Sequence, residues 1–250
     1  MNTARDPLSD EMQRVDETSE LYQTEAGALN RDIAGYYNLQ AVLRHGEKLG
    51  LAHADAMMMG IGDGAVCLGL APHVARLTIV EGSATLTRDF RALAPENTTA
   101  VHALFEEFTP AQPVDVVIAT HVLEHVDHPV EVMKQVRQWL KPGGRVFVSV
   151  PHSGSLHRRI GVKMGMLPAI NALNGQDIRV GHRRVYSIPE LEADIKTADF
   201  TVEKLSGFMI KLVSQAQMKG WSRELLDGIF EASLEADPGL CSNLFAICRK

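Results

Sequence analysis

At 250 residues, 45% of them hydrophobic and 22% charged, the chain is long enough for one embellished domain with a substantial core. Its net charge of −6 excludes a basic nucleic-acid clamp. Cys67, Cys241 and Cys248 have neither CxxC nor zinc spacing, which excludes a disulfide scaffold, and no apolar run reaches the length of a membrane span.

The opening MNTARDPLSDEMQ has no apolar targeting core, so a cytoplasmic protein that contacts neither membrane nor nucleic acid is expected. Residues 1–24 are polar and acidic, and they are predicted to fray or to form one peripheral helix. Ile33, Tyr36, Tyr37, Leu39, Val42 and Leu43 recur at helical spacing and predict a helix from Arg31 to Leu49, closed by Gly50. Core packing is favoured for Tyr36 and Tyr37 over a lid. Residues 1–50 are thus expected to be a helical extension or lid, and 51–250 the main domain.

The stretch AMMMGIGDGAVCLGLAPHVARLTIVE follows. Ala56–Met59 and Leu77–Val80 read as strands. Between them lie the turn Gly60, Gly62, Asp63, Gly64 and a short helix. Glycines let a ligand lie against the backbone, and the helix start offers N–H groups. Glu81, 21 residues beyond Gly60, is placed to accept both hydroxyls of a ribose. An adenosine-containing ligand is implied. Gly60-x-Gly62-x-x-Ala65 also meets the loose dinucleotide fingerprint, which leaves a nicotinamide cofactor open at this point.

Strands are predicted at Thr98–Leu104, Val114–Thr120, Arg145–Val150, Phe200–Leu205 and Asn243–Cys248. Helices are predicted from Leu86 to Leu93, from Pro129 to Leu140, from Ile160 to Leu173, after the Ser187/Glu190 capping box, and from Leu212 to Leu234. Strands alternating with helices give an α/β, doubly wound, mostly parallel sheet. Residues 151–187 break the rhythm and form an expected substrate-side insertion.

VDVVIATHVLEHVDHPVEVMKQVRQWLKPGGRVFVSVPH, taken with GIGDG and Glu81, closely resembles the class I S-adenosylmethionine-dependent methyltransferases. The branch it looks most like holds the ubiquinone-pathway O-methyltransferases and many small-molecule enzymes. The resemblance implies a Rossmann-like, seven-stranded sheet whose last strand is antiparallel. It also implies S-adenosylmethionine as cofactor, held by Gly60, Gly62, Asp63, Gly64 and Glu81, with Phe105 stacking, Glu106 on the adenine and Thr120 nearby. Two positions depart from the pattern. Met58 stands where an acid usually precedes the turn, with Asp63 as a substitute, and Leu104 stands where the adenine amino group is often bound.

His121, Glu124 and His125 are the candidate catalytic residues. Imidazole suits a general base at the methyl group, and a histidine bonded at a helix start is the alternative. In the ubiquinone-pathway relatives an acid, a Glu and a His at this spacing resemble a divalent-ion site, and here the first is His121; imidazole with carboxylate suits zinc, iron or manganese. Many enzymes with this motif bind no metal, and Glu124 can instead hold the backbone, so no metal is expected. Between His152 and Arg184 six basic residues, Arg158, Arg183 and Arg184 among them, face one acid, Asp177. With His152, His182 and Tyr186 they form the expected binding set for a small carboxylate- or phosphate-bearing acceptor. The expected activity is methyl transfer to such an acceptor, most readily at oxygen. Transfer to nitrogen or carbon, a silent S-adenosylmethionine binder and a nicotinamide-dependent oxidoreductase are the alternatives, and a homodimer is left open.

Overall fold

The computed structural model describes residues 7–20 and 24–250. In chain order the helices are α1 (Pro7–Ser19), α2 (Glu25–Asn30), α3 (Tyr36–Arg44), α4 (Gly46–Leu49), α5 (Ala65–Leu70), α6 (Ala84–Arg91), α7 (Pro129–Trp139), α8 (Leu156–Lys163), α9 (Gly175–Arg179), α10 (Ile188–Thr197) and α11 (Arg223–Glu235). The strands are β1 (Asp55–Met59), β2 (Arg76–Glu81), β3 (Thr98–His102), β4 (Val114–Thr120), β5 (Leu140–Pro151), β6 (Thr201–Phe208) and β7 (Asn243–Arg249). They form one seven-stranded sheet in the order β3-β2-β1-β4-β5-β7-β6. Only β7 runs antiparallel to its neighbours, as the resemblance implied.

Alternate residues of each central strand enter different cores, because both faces of the sheet are covered. Met58, Ile118, Phe147 and Ile247 pack with Tyr37, Val42, Leu70 and Phe230 on one face. Met57, Met59, Val117 and Val146 pack with Val132, Val136, Leu191 and Ile195 on the other. Met58, where an acid was looked for, is therefore a core residue. Tyr37 is 1% exposed and stacks on Phe230 with ring centroids 5.2 Å apart, so it packs in the core.

Several boundaries differ from expectation. The Arg31–Leu49 helix is interrupted: a π-turn spans Arg31–Gly35, and His45 separates α3 from α4. Gly50 does close it, in the left-handed conformation at φ 71°. Helix is absent from most of 164–173, and α8 starts earlier, at Leu156. The expected Leu212–Leu234 helix is only α11, preceded by a single 3-10 turn at Gln215–Met218. β5 begins at Leu140, since Leu140 pairs with Val114 before a register shift absorbs Gly143 and Gly144. The capping box holds, with Glu190 accepting the Ser187 N–H at 2.8 Å. The expected peripheral helix is α1. Fraying of 1–6 and 21–23 lies outside the described residues.

Candidate active site

At the carboxyl edge of the sheet, the β1 turn has Gly60, Gly62 and Gly64 at φ 78°, 56° and 80°, conformations that side chains disfavour. Glu81 ends β2 and is 5% exposed. Its Oε2 accepts the Ile61 N–H and its Oε1 the Ser83 N–H, both at 2.7 Å. Burial pushes its carboxyl up, while these N–H groups oppose the shift. Asp63 accepts the Ala65 N–H at 3.1 Å and the Asn30 amide at 3.2 Å, tying α2 to the start of α5. Phe105 packs half-buried against the core and Glu106 is exposed, both just past β3. Thr120 is half-buried at the end of β4.

α1 crosses this edge. Its Asp16 accepts from the Ser83 hydroxyl and from the Thr85 N–H, capping the start of α6. A Cβ at Gly82 would lie 3.2 Å from Leu104 and 3.5 Å from Val15, so α1 closes over the β2–β3 side. At the same time Glu11 reaches Arg183 in the insertion, 3.6 Å away.

Beyond β4 the backbone turns sharply at His121, with φ 54° and its N–H donated to the Ser149 carbonyl at 2.8 Å. His121 Nδ1 lies 3.0 Å from Glu124 Oε1, close but not aligned as a hydrogen bond, and its Nε2 has no partner among the described residues. Glu124 is fully buried, and neither carboxylate oxygen accepts a hydrogen bond among the described residues. Burial pushes its carboxyl up, but His121, His125 and His182 outweigh this and hold it down at about 2. His125 is pushed down to about 4, by burial first, so its imidazole is neutral at neutral pH. Donor atoms of Glu124, His125 and His182 lie within 4.8 Å of one another. The metal set read from the sequence had His121 with Glu124 and His125. The structure instead groups His182 with these two and leaves His121 alongside.

The insertion corrects much of the expected acceptor set. Arg158 is 4% exposed, and its guanidinium is spent on the Ile170 and Ala172 carbonyls and on Asp177. Arg184 binds the carbonyls of Leu123, Val126 and Asp127. Arg183 donates to the His125 carbonyl at 2.8 Å and pairs with Asp127 at 2.5 Å. Arg183 and Arg184 therefore satisfy backbone oxygens after β4, and Arg158 those of the insertion itself. His152 is buried against the Cys241 carbonyl at 2.9 Å, and Tyr186 is buried with its hydroxyl on Asp194 at 3.0 Å.

Sequence reading missed a different pair. Lys211 follows the carboxyl end of β6; it is half-buried, and its ammonium has no hydrogen bond or ion pair among the described residues. Burial holds it down to about 8, with Asp177 and Arg158 within electrostatic reach. His157 Nδ1 is buried without a partner, and burial followed by the charge of Lys211 pushes the ring down to about 3. A lone lysine in an apolar context carries no pattern that would reveal this.

Residues 36–205 match the Methyltransferase domain family. A ubiquinone biosynthesis O-methyltransferase of Marinobacter nauticus is 31% identical over 110 residues, covering 41% of this chain and 46% of that protein; the match thus spans about half the relative's length. Among solved structures, a Thermotoga maritima S-adenosylmethionine-dependent methyltransferase, described as a possible histamine N-methyltransferase, aligns with a TM-score of 0.65 at 17% identity, over 94% of this chain and 99% of that one. A Burkholderia thailandensis 1,6-didemethyltoxoflavin-N1-methyltransferase, solved with 1,6-didemethyltoxoflavin and S-adenosylhomocysteine, aligns with a TM-score of 0.60 at 17% identity, over 100% and 92%.

Proposed function

The chain belongs to the methyltransferase-domain family of S-adenosylmethionine-dependent enzymes, and we propose that it methylates a small anionic acceptor at oxygen. One observation carries the reading: Glu81 and the glycine turn stand at the same sheet edge as His121, an imidazole with one free nitrogen. Glu81 keeps two acceptor positions beyond those used by Ile61 and Ser83, and these suit ribose hydroxyls. Methyl transfer from a sulfonium needs in-line alignment and exclusion of water more than acid–base help. A hydroxyl acceptor must still lose its proton. His121 Nε2 is the group available to take it, with Glu124 steadying the other side of the ring. α1 then serves as the lid over the adenosine end.

The anionic character of the acceptor rests on Lys211 and His157 rather than on the arginines. An ammonium and a buried ring nitrogen, neither with a hydrogen-bond partner among the described residues and each within the other's electrostatic reach, favour a carboxylate or phosphate. A divalent cation also fits the edge. A fully buried carboxylate with two unbonded oxygens, next to a neutral imidazole, is the donor chemistry of zinc, iron or manganese. Glu124 and His125 would hold such an ion, which supplies Lewis-acid polarisation of the acceptor oxygen when bound. The test is calorimetry with S-adenosylhomocysteine and with NAD, then transfer of labelled methyl groups to carboxylate-, phosphate- and amine-bearing hydroxyl compounds. Binding of NAD alone, or transfer only to nitrogen, would overturn the reading.

A further inference from the structure

One backbone bond beside the His182 side chain joins the insertion to the turn after β4, and another on its other side folds the insertion on itself. The Arg183 N–H is donated to the Glu124 carbonyl at 2.8 Å, and the His182 N–H to the Asp177 carbonyl at 2.8 Å. Between these anchors the His182 ring lies edge-on to His125, with centroids 4.7 Å apart. Its Nδ1 is 3.2 Å from Asp177 Oδ1, and its Nε2 is 4.0 Å from the buried Glu124 Oε1. Asp177 is in turn held by Arg158 at 3.1 Å and by the Asn174 N–H at 2.9 Å.

We infer that His182 is the third ligand of the cation, and that the Arg158–Asp177–His182 relay is the clasp by which this ion fastens the insertion over the active edge. The inference rests on the cation reading of Glu124 and His125 given above. Carboxylate on one ring nitrogen and metal on the other is the arrangement that fixes a ligating imidazole's tautomer and makes it more basic. Asp177 fills that role, so Nε2 is left with its lone pair toward Glu124. Ligand bonds of about 2.0–2.2 Å at tetrahedral angles put donor atoms roughly 3.4 Å apart. The 4.0 Å between His182 and Glu124 closes to that with a side-chain adjustment of tenths of an ångström. One oxygen and two nitrogens select zinc, iron or manganese over magnesium. His121, whose Nδ1 lies 3.0 Å from Glu124 Oε1, is the competing partner for the carboxylate.

The deciding experiment titrates zinc into the metal-free full-length protein by calorimetry, and follows trypsin cleavage after the exposed Lys163 and Arg179 with and without zinc. The parent should take up one zinc per chain, and zinc should slow both cleavages. Glu124→Gln should abolish uptake. His182→Gln should weaken it about 10–100-fold and remove the protection, and Asp177→Asn should act in the same direction. Retained affinity for S-adenosylhomocysteine shows that each variant is folded; if Asp177→Asn fails this, His182→Gln decides. Undiminished zinc affinity in folded His182→Gln overturns the clasp and leaves the Glu124–His125 site standing. No uptake by the parent overturns both and assigns the charge balance to His121. Neither result touches the methyl-transfer reading, which the S-adenosylhomocysteine titration tests separately.

Discussion

Glu81 Oε2 accepts the Ile61 N–H at 2.7 Å, so the carboxylate at the end of β2 holds the glycine turn at the end of β1. The same group holds the turn and, in the proposed reading, the cofactor's ribose. Charge-assisted bonds contribute roughly 1.5–3 kcal/mol each. Glu81→Gln should therefore weaken S-adenosylhomocysteine at least about tenfold by calorimetry, with a lowered melting temperature. Unchanged affinity in the folded variant removes Glu81 from the ribose.

His121 should separate chemistry from binding. His121→Ala is expected to lower turnover roughly 10²–10⁴-fold while leaving cofactor affinity nearly intact. Its φ of 54° adds a second readout. Glycine adopts that conformation freely and alanine does not, so His121→Gly should melt above His121→Ala although both are inactive. The reverse order of melting temperatures would show that the turn carries no strain.

For the acceptor, Lys211→Met should raise KM with little change in the cofactor's affinity. Added salt should weaken the parent's acceptor binding more than the variant's, because part of the attraction is screened. A neutral acceptor used equally well by both proteins would relegate Lys211 to packing.

The proposed lid can be timed. Val15 lies against the Gly82–Leu104 corner and Asp16 caps α6, so removing residues 1–20 should speed both association and dissociation of S-adenosylhomocysteine in stopped flow. Identical rates would make α1 a strut.

His45 gives a pH signature. Burial first, then Lys204, Lys48 and Arg44, push it down to about 4, while an unfolded histidine titrates near 6.5. Between those values the unfolded chain binds the extra proton, so stability falls as pH drops from about 6.5 to about 4. His45→Gln should flatten that part of the melting-temperature profile. An unchanged slope would mean that other groups carry it.

Local chemistry was legible in the sequence where it is local. The glycine turn, Glu81 and the Ser187–Glu190 box each depend on residues a few positions apart or on one βαβ unit, and the structure places them as read. The arginines misled because their count is visible and their partners are not. Arg184 meets carbonyls 57 or more positions away, which no charge pattern encodes. His182 and Glu124 are likewise brought together only by the docking of the insertion, through the Arg183 N–H. The long Arg31–Leu49 periodicity concealed its break because both pieces bury the same face.

The place of β7 between β5 and β6 governs how the chain is made. β7 leaves the ribosome after the other six strands of the sheet, yet it fills an interior position. Until Asn243–Arg249 emerges, β5 and β6 each expose an edge to the crowded surroundings of the nascent chain. Its arrival therefore joins β5 and β6, which otherwise share no pairing. A ribosome stalled before Asn243 would hold a product that is mostly folded but sticky on two sides, a natural client for chaperones.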